Sequence, residues 1–255
     1  MPEQRGGIGE AGSASLTELR RVNEMRRDFV ANVSHELKTP ATSLKLLAES
    51  LVEILDEDPE GARFFAGQLK SETERLARLI SDLLDLTRLE SEEGVQNPEP
   101  VDVRSVLMVV LSRLRRTARR KDVTVSWKRS GSAALFTIPG DETQIISMFD
   151  NLVDNAVKYT PPGGRVDVVA ETGEDEVIVR ISDTGIGIPE ESLDRIFERF
   201  YRVDKARSKE TGGTGLGLSI VRHIAENHGG HVTVESALGE GSTFSVYLLR
   251  GQRQL

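Results

Sequence analysis

Two parts of different fold class follow from the sequence. The first is a helical hairpin that pairs with a second copy into a dimeric four-helix bundle, and the second is an α/β sandwich with helices on one face of a mixed sheet. Three observations carry this. A seven-residue apolar repeat runs through the N-terminal third; Gly94 to Pro100 (GVQNPEP) stops it; and beyond that stop, alternating apolar runs are interleaved with helical segments.

The 255 residues carry 33 Lys plus Arg against 41 Asp plus Glu, a net charge of −8, and no cysteine. That length makes one large or two small domains with room for a core. Disulfide scaffolds, thiolate metal sites and cysteine nucleophiles are excluded, and the lack of cysteine suits a reducing cytoplasm. An acidic chain is a poor candidate for non-specific nucleic-acid binding. The longest aliphatic run, Val106 to Leu111, is far short of the roughly 18 to 20 apolar residues that span a bilayer, and Met1 to Asp28 has no signal-peptide core, so the chain as given is expected to be soluble. Gly6 to Ser15, rich in Gly, Ser and Ala, reads as a flexible linker or junction.

From Leu16 to Leu55 the pattern is helical. Val30, Leu37, Leu44 and Leu51 share one heptad position, and Val33, Pro40, Leu47 and Ile54 the other seam position. Asp56 to Gly61 (DEDPEG) reads as a turn, and a second helix follows to about Glu92, with Leu69, Leu76 and Leu83 seven apart and Leu79 and Leu86 beside them. Ala48, Leu55, Thr73 and Ile80 widen the apolar stripe beyond what one partner helix covers, which predicts a homodimer; packing on the chain's own second half is the alternative. The divisions are 1–28 as a linker or signal-transmitting helix, 29–93 as the hairpin, 94–100 as a linker and 101–250 as the sandwich.

Within the sandwich, Val101 to Arg120 reads as a helix, and Val123, Val125 and Trp127 alternate as a strand. Asp141 to Tyr159 is helical, and Arg165 to Ala170 and Glu176 to Ser182 are strands across Gly173. Leu216 to Gly229 is a helix, and His231 to Ser236 with Thr243 to Leu249 closes a hairpin about Gly239 and Gly241. The cluster Arg113, Arg115, Arg116, Arg119, Arg120 and Lys121 lacks interleaved aromatics and reads as a solvated helix face.

His35 lies five residues past the seam residue Val30, on the face turned away from the bundle axis. An exposed histidine offers a neutral ring nitrogen as nucleophile at neutral pH. Glu36 can hold the Nδ1 proton, Thr39 is one turn on along the same face, and Pro40, which cannot donate to the Glu36 carbonyl, is a built-in weak point of the helix. In the second half, Asp183 to Ile188 (DTGIGI) follows a strand, and Thr211 to Leu218 (TGGTGLGL) leads into a helix. Closely spaced glycines let backbone N–H groups approach phosphates at a helix N-terminus. Neither stretch is a P-loop or a Rossmann fingerprint. Between them, Phe197, Phe200, Tyr201, Arg202, Lys205 and Arg207 combine apolar anchors with cations, as in a lid over a nucleotide. Asn151 and Asn155 are four apart on one helix face with Lys158 near them, a set suited to Mg²⁺ and phosphate oxygens. His223, His228 and His231 have no ligand-like company and read as structural or surface residues.

These motifs together resemble a sensor histidine kinase of two-component signalling, of the phosphate-sensor-like HisKA type, in its dimerisation and phosphotransfer plus catalytic portion. FVANVSHELKTP resembles the H box, DNLVDNAVKYTP the N box, DTGIGI the first glycine box, RIFERFYRVD the phenylalanine box and GGTGLGLSIV the second glycine box, in the family's order over residues 29–249. The resemblance implies a Bergerat/GHKL-type ATP-binding domain, with ATP and Mg²⁺ as ligands. It implies His35 as phosphoacceptor, Glu36 as the residue that orients or deprotonates its ring, and Thr39 as the residue positioning water for dephosphorylation. Asn151 and Asn155 would bind Mg²⁺, Lys158 the phosphates, Tyr159 the adenine edge and Asp183 the adenine amine. Gly185 and Gly187 would shape the adenine pocket, Gly213, Gly215 and Gly217 the lid hinge, with Leu218 beside them in the nucleotide site, and Arg202 would reach the terminal phosphate when the lid closes. The partners implied are a second copy and the receiver domain of a response regulator. Ala41 departs from the pattern, where a larger aliphatic is usual; this affects packing more than chemistry. LTELRRVNEMRRDF resembles the helix that ends a PAS or HAMP module, so the chain reads as a truncated sensor whose parent is anchored in the cytoplasmic membrane, with a stand-alone soluble kinase as the alternative.

The enzymatic rival is an ATP hydrolase or serine kinase of the same superfold. Those families place a glutamate four residues before the Mg²⁺-binding asparagine, where this chain has Asn151, which cannot act as a base. A rival of another class is a nucleotide-binding scaffold or phosphatase-biased regulator without net kinase activity.

Overall fold

The computed structural model describes residues 8–91, 94–130, 136–204 and 213–251, with backbone alone for residues 8–26 and 28. It divides into two compact units, Met1–Ala77 and Arg78–Leu255. No described helix is long and apolar enough to cross a membrane.

The first unit is built from α1 (Ile8–Ile54) and the first turns of α2 (Pro59–Ser91). α1 begins ahead of the expected Leu16, and Ile8 to Ser15 are helical rather than linker. Glu10, Ala11 and Ala14 favour helix, and extending an existing helix costs far less than nucleating one. Gly6 and Gly7 lie outside the described residues. Along the seam Pro40 is buried and Val33, Leu37, Leu44, Leu47, Leu51 and Ile54 are half-buried. Val30, Leu46, Val52, Leu55 and Phe64 remain exposed in the single chain. The turn is tighter than DEDPEG suggests. Pro59 already opens α2, at the first helical position, where its missing N–H costs nothing. Asp58 Oδ1 accepts from the backbone of Glu60 at 3.1 Å and of Gly61 at 3.0 Å, and a Cβ on Gly61 would meet Asp58 Oδ2 at 2.5 Å.

The second unit continues with β1 (Glu99–Asp102), α3 (Val103–Arg120), β2 (Thr124–Ser130), β3 (Thr137–Gly140), α4 (Glu142–Tyr159), β4 (Arg165–Thr172) and β5 (Glu176–Asp183). It closes with α5 (Gly217–Asn227), β6 (His231–Ala237) and β7 (Gly241–Leu249). The five-stranded sheet has the order β2-β4-β5-β7-β6. β2 runs parallel to β4 and the other pairs are antiparallel, as a mixed sheet requires. α4 lies between α3 and α5, and the strands alternate buried with half-buried residues, so the helices cover one face. Val106, Leu107 and Val110 of α3, Phe149, Leu152 and Val153 of α4, and Ile220, Val221 and Ile224 of α5 are fully or almost fully buried, as are Val168, Val179, Ile181 and Val246 of the sheet.

One pairing departs from the expected elements. Val101 and Asp102, read above as the start of a helix, belong to β1, which pairs antiparallel with β3. Each strand has four residues and contains a proline, too little for periodicity to register. α3 then starts at Val103, with Asp102 as its cap accepting from Arg104 N at 3.1 Å. Asp141 caps α4 through Thr143 N and Gln144 N. Its own backbone N–H donates to His228 Nε2 at 3.1 Å, while His228 Nδ1 donates to the Ile224 carbonyl. Burial holds the His228 pKa below its usual value.

Candidate active site

In the first unit, His35 has 79 % of its side chain exposed, and its Nδ1 lies 3.9 Å from Glu36 Oε1. Its exposure follows from its place off the heptad seam. Thr39 Oγ1 donates to the His35 carbonyl at 3.2 Å, one turn on, which leaves the hydroxyl's lone pairs available.

In the second unit, α4 supplies the polar row. Asn151 Nδ2 donates to the Ser147 carbonyl at 2.9 Å, which fixes the amide so that Oδ1 faces α5. A Cβ on Gly217, the first residue of α5, would come within 2.5 Å of that oxygen. Asn155, one turn along and half-buried, makes no side-chain hydrogen bond among the described residues. Lys158 follows on the same face, and a Cβ on Gly213 would lie 2.9 Å from its Nζ, which stands 5.2 Å from the centre of the Tyr159 ring. Burial brings Lys158 down to about 8; Arg202, Arg78 and Lys121 press in the same direction against Asp154. An anion placed at Nζ would relieve that penalty on the charged form. Arg202 donates to the Gly213 carbonyl, which brings the phenylalanine segment and the second glycine loop to Lys158.

The glycines of both loops are fixed by close approach. Phe200 N donates to the Gly215 carbonyl at 2.8 Å; Gly215 has φ +75°, and Phe200 itself sits at φ +62°, an uncommon conformation for an aromatic residue. Leu218 is half-buried in the first turn of α5. At the end of β5, Asp183 Oδ1 accepts from Gly185 N at 2.8 Å, and Ile186 N donates to the Tyr159 carbonyl, which ties the first glycine loop to the end of α4. Gly187 has φ +68°, and a Cβ there would stand 2.0 Å from the Ala237 carbonyl oxygen. Burial pushes the Asp183 carboxyl up, against the N–H groups of Gly185 and Ser242. An open groove of 310 Å³ is lined by Asp183, Glu235, Glu240 and Thr243 and by none of the α4 residues. Its carboxylates make it unsuited to phosphate. Lys205 and Arg207 of the expected lid, and Thr211 of the loop, lie outside the described residues.

The comparisons with known proteins agree with this arrangement. The His Kinase A (phospho-acceptor) domain matches residues 25–92, and the histidine kinase-, DNA gyrase B- and HSP90-like ATPase family matches residues 140–252. The solved mycobacterial sensor histidine kinase MprB is 32% identical, with a TM-score of 0.51, over 60% of this chain and 97% of that one. The chain belongs to the sensor histidine kinases. Among other kinases of this family, the sensor-like histidine kinase SenX3 of Mycolicibacterium smegmatis is 41% identical over 230 residues, 90% of this chain and 59% of that protein. ShkA, solved at full length in complex with AMPPNP, is 30% identical with a TM-score of 0.63, over 87% of this chain and 45% of that one. The chain thus spans a little over half the length of the SenX3 relative it matches.

The second unit also holds residues that the motifs did not single out. Thr214, between Gly213 and Gly215, donates from Oγ1 to Asp82 Oδ2 of α2 at 2.7 Å. Arg199 pairs with Glu90 at 2.6 Å. Lys121 donates from Nζ to the carbonyls of Val157 and Lys158 at the end of α4. Thr214 lies within a stretch already marked, whereas Asp82 is 132 residues away and its sequence neighbourhood is an ordinary amphipathic helix.

Proposed function

We propose that this chain transfers the γ-phosphoryl group of ATP to Nε2 of His35 and passes it to an aspartate of a response regulator, which it also dephosphorylates. The observation that carries this reading is the row Asn151, Asn155 and Lys158 set against Gly213, Gly217 and Arg202, together with an exposed histidine on the first unit. The domains follow the sequence divisions: 29–93 for dimerisation and phosphotransfer, 101–250 for ATP binding, with 94–100 as linker and 1–28 as signal-transmitting helix. The exposed Val30, Leu46, Val52, Leu55 and Phe64 support a homodimer that completes the bundle. The parent protein would be a sensor anchored in the cytoplasmic membrane.

Glu36 keeps the proton on Nδ1, so the Nε2 lone pair points outward for in-line attack. The Nε2–phosphorus bond forms as the bond from the γ-phosphorus to the bridging oxygen breaks, and ADP leaves with that oxygen. Lys158 and Arg202 offset the charge on the phosphates, and Asp183 accepts from the adenine amine beside Tyr159. Positioning and charge stabilisation do nearly all the work in such a transfer. Mg²⁺ would supply further charge neutralisation, held by the amide oxygens of Asn151 and Asn155, directly or through water. The donor set fits: Asn155 has no competing partner among the described residues, and no cluster of three acidic, histidine or cysteine side chains offers another cation site among them. In the second transfer the phosphorus moves from Nε2 to a carboxylate oxygen of the regulator and His35 is regenerated. Thr39 then orients water for removal of that phosphoryl group.

The test is incubation of the chain and of His35→Gln with Mg²⁺ and γ-labelled ATP. Acid-labile, base-stable label on the wild type that is absent from the variant is expected. Nucleotide binding without label would overturn the kinase reading in favour of a scaffold or phosphatase-biased regulator.

A further inference from the structure

Resting on the function proposed above, we propose that Asp82 is a positioning residue that holds the second glycine loop, through Thr214, in a phosphotransfer-silent arrangement. Thr214 Oγ1 donates to Asp82 Oδ2 at 2.7 Å and accepts from Leu216 N at 3.2 Å, immediately before α5 begins. The Asp82 carboxylate is therefore linked through one hydroxyl to the backbone of the loop that frames Lys158. The rest of that face of α2 is engaged with the same unit. Leu79, Leu86 and Leu89 are buried, Glu90 pairs with Arg199 at 2.6 Å, and the Leu89 carbonyl accepts from Asn227 Nδ2 at 3.3 Å.

Two features make this contact a restraint rather than part of the reacting geometry. α2 contains no histidine, so the loop tied to it faces the Asp82 carboxylate, with Asp85 and Arg78 of the same helix near it, and a carboxylate repels the terminal phosphate. For transfer to occur, the loop has to leave Asp82. The tie is also reversible, because a desolvated carboxylate held by one neutral hydroxyl gains little over its hydrated form, and burial together with Asp85 raises its pKa. α2 is an unbroken helix from Pro59 to Ser91. A rotation by one residue position, about 100°, swings Asp82 away from Thr214. Movement of the hairpin is thereby passed to the nucleotide loop without any change in the nucleotide-binding side chains themselves.

The experiment uses the full chain, its Asp82→Ala, Thr214→Val and Thr214→Ser variants, the double variant Asp82→Ala/Thr214→Val, and Thr87→Ala on the exposed face as control. Hydrogen exchange at residues 213–219, measured without turnover, is expected to quicken about tenfold in Asp82→Ala and Thr214→Val and to stay at the wild-type rate in Thr214→Ser and Thr87→Ala. Initial labelling of His35 is expected to rise by about the same factor in the first two, with the ATP KM within twofold of wild type and no further gain in the double variant. Unchanged exchange overturns the contact itself. Quickened exchange with unchanged or slower labelling overturns its restraining role. If wild type and all variants fail to label His35, the kinase reading fails, while exchange still decides whether Asp82 holds the loop.

Discussion

Raising the pH from 7 to 9 should weaken nucleotide binding by about tenfold, and Lys158 is the reason. Burial among cations brings this lysine down to about 8 in the free protein. Roughly nine-tenths of the molecules therefore carry the proton at pH 7 and roughly one-tenth at pH 9. Phosphates against Nζ restore its proton affinity, so the bound form stays charged across that range. The affinity follows the protonated fraction of the free form, a loss of about 1.4 kcal/mol over two pH units. Calorimetric titration with a non-hydrolysable ATP analogue at pH 7, 8 and 9 and constant ionic strength, in buffers of differing ionisation enthalpy, reads both the affinity and the proton taken up. Lys158→Met should bind weakly with a flat profile, and Lys158→Arg should stay flat because its guanidinium keeps the proton. The same lysine disfavours the fold when charged. Its folded value lies below its unfolded one, so the cost is fully present below about pH 8 and is relieved as the pH rises toward the ordinary lysine value. Lys158→Met without nucleotide should then be at least as stable as wild type at pH 7. A wild-type affinity that does not change between pH 7 and 9, or a Lys158→Met profile parallel to it, would refute the reasoning.

Three further outcomes follow from single contacts. Asp183→Asn should lose at least about tenfold in nucleotide affinity, because it presents a donor to the adenine amine; since burial already disfavours its charge, the melting temperature should not fall, and a destabilised variant that still binds would count against the assignment. Gly187→Ala combines φ +68° with a Cβ 2.0 Å from the Ala237 carbonyl oxygen, so a loss of about 3 kcal/mol is expected in thermal or urea unfolding, and a loss under about 0.5 kcal/mol would contradict the geometry. His228 accepts from Asp141 N while neutral and is held below its ordinary pKa, so it costs stability as the pH falls below the unfolded value near 6.5. Urea unfolding at pH 7 and 5 should show that loss in wild type and a smaller one in His228→Gln; equal pH dependence would remove His228 from the account.

The hairpin was legible because its signals are local and repeated. Val30 to Leu51 and Leu69 to Leu83 keep a period that no other structure satisfies. The helices α4 and α5 and the strands β4 to β7 were legible for the same reason, and the glycine loops because close backbone approach leaves few alternatives to glycine at Gly187 and Gly217. β1 and β3 were not, since four residues with a proline carry no period and exist as strands only by pairing with each other across 35 or more residues. The helical Ile8 to Ser15 were misread because Gly and Ser composition outweighed the pull of the adjoining helix.

By itself the sequence determined the heptad hairpin, the helices α4 and α5, the strands β4 to β7 and the positions of the two glycine loops, because periodicity, capping and backbone freedom are properties of neighbouring residues. Only the tertiary structure decided that Asn151 faces Gly217, that Lys158 loses proton affinity among Arg202, Arg78 and Lys121, and that Asp82 takes the hydroxyl of Thr214. Those are consequences of burial and of distances between atoms far apart in the chain. Desolvation and Coulomb interactions depend on what surrounds a group in space, and no stretch of sequence specifies that surrounding until the helices have packed on the sheet.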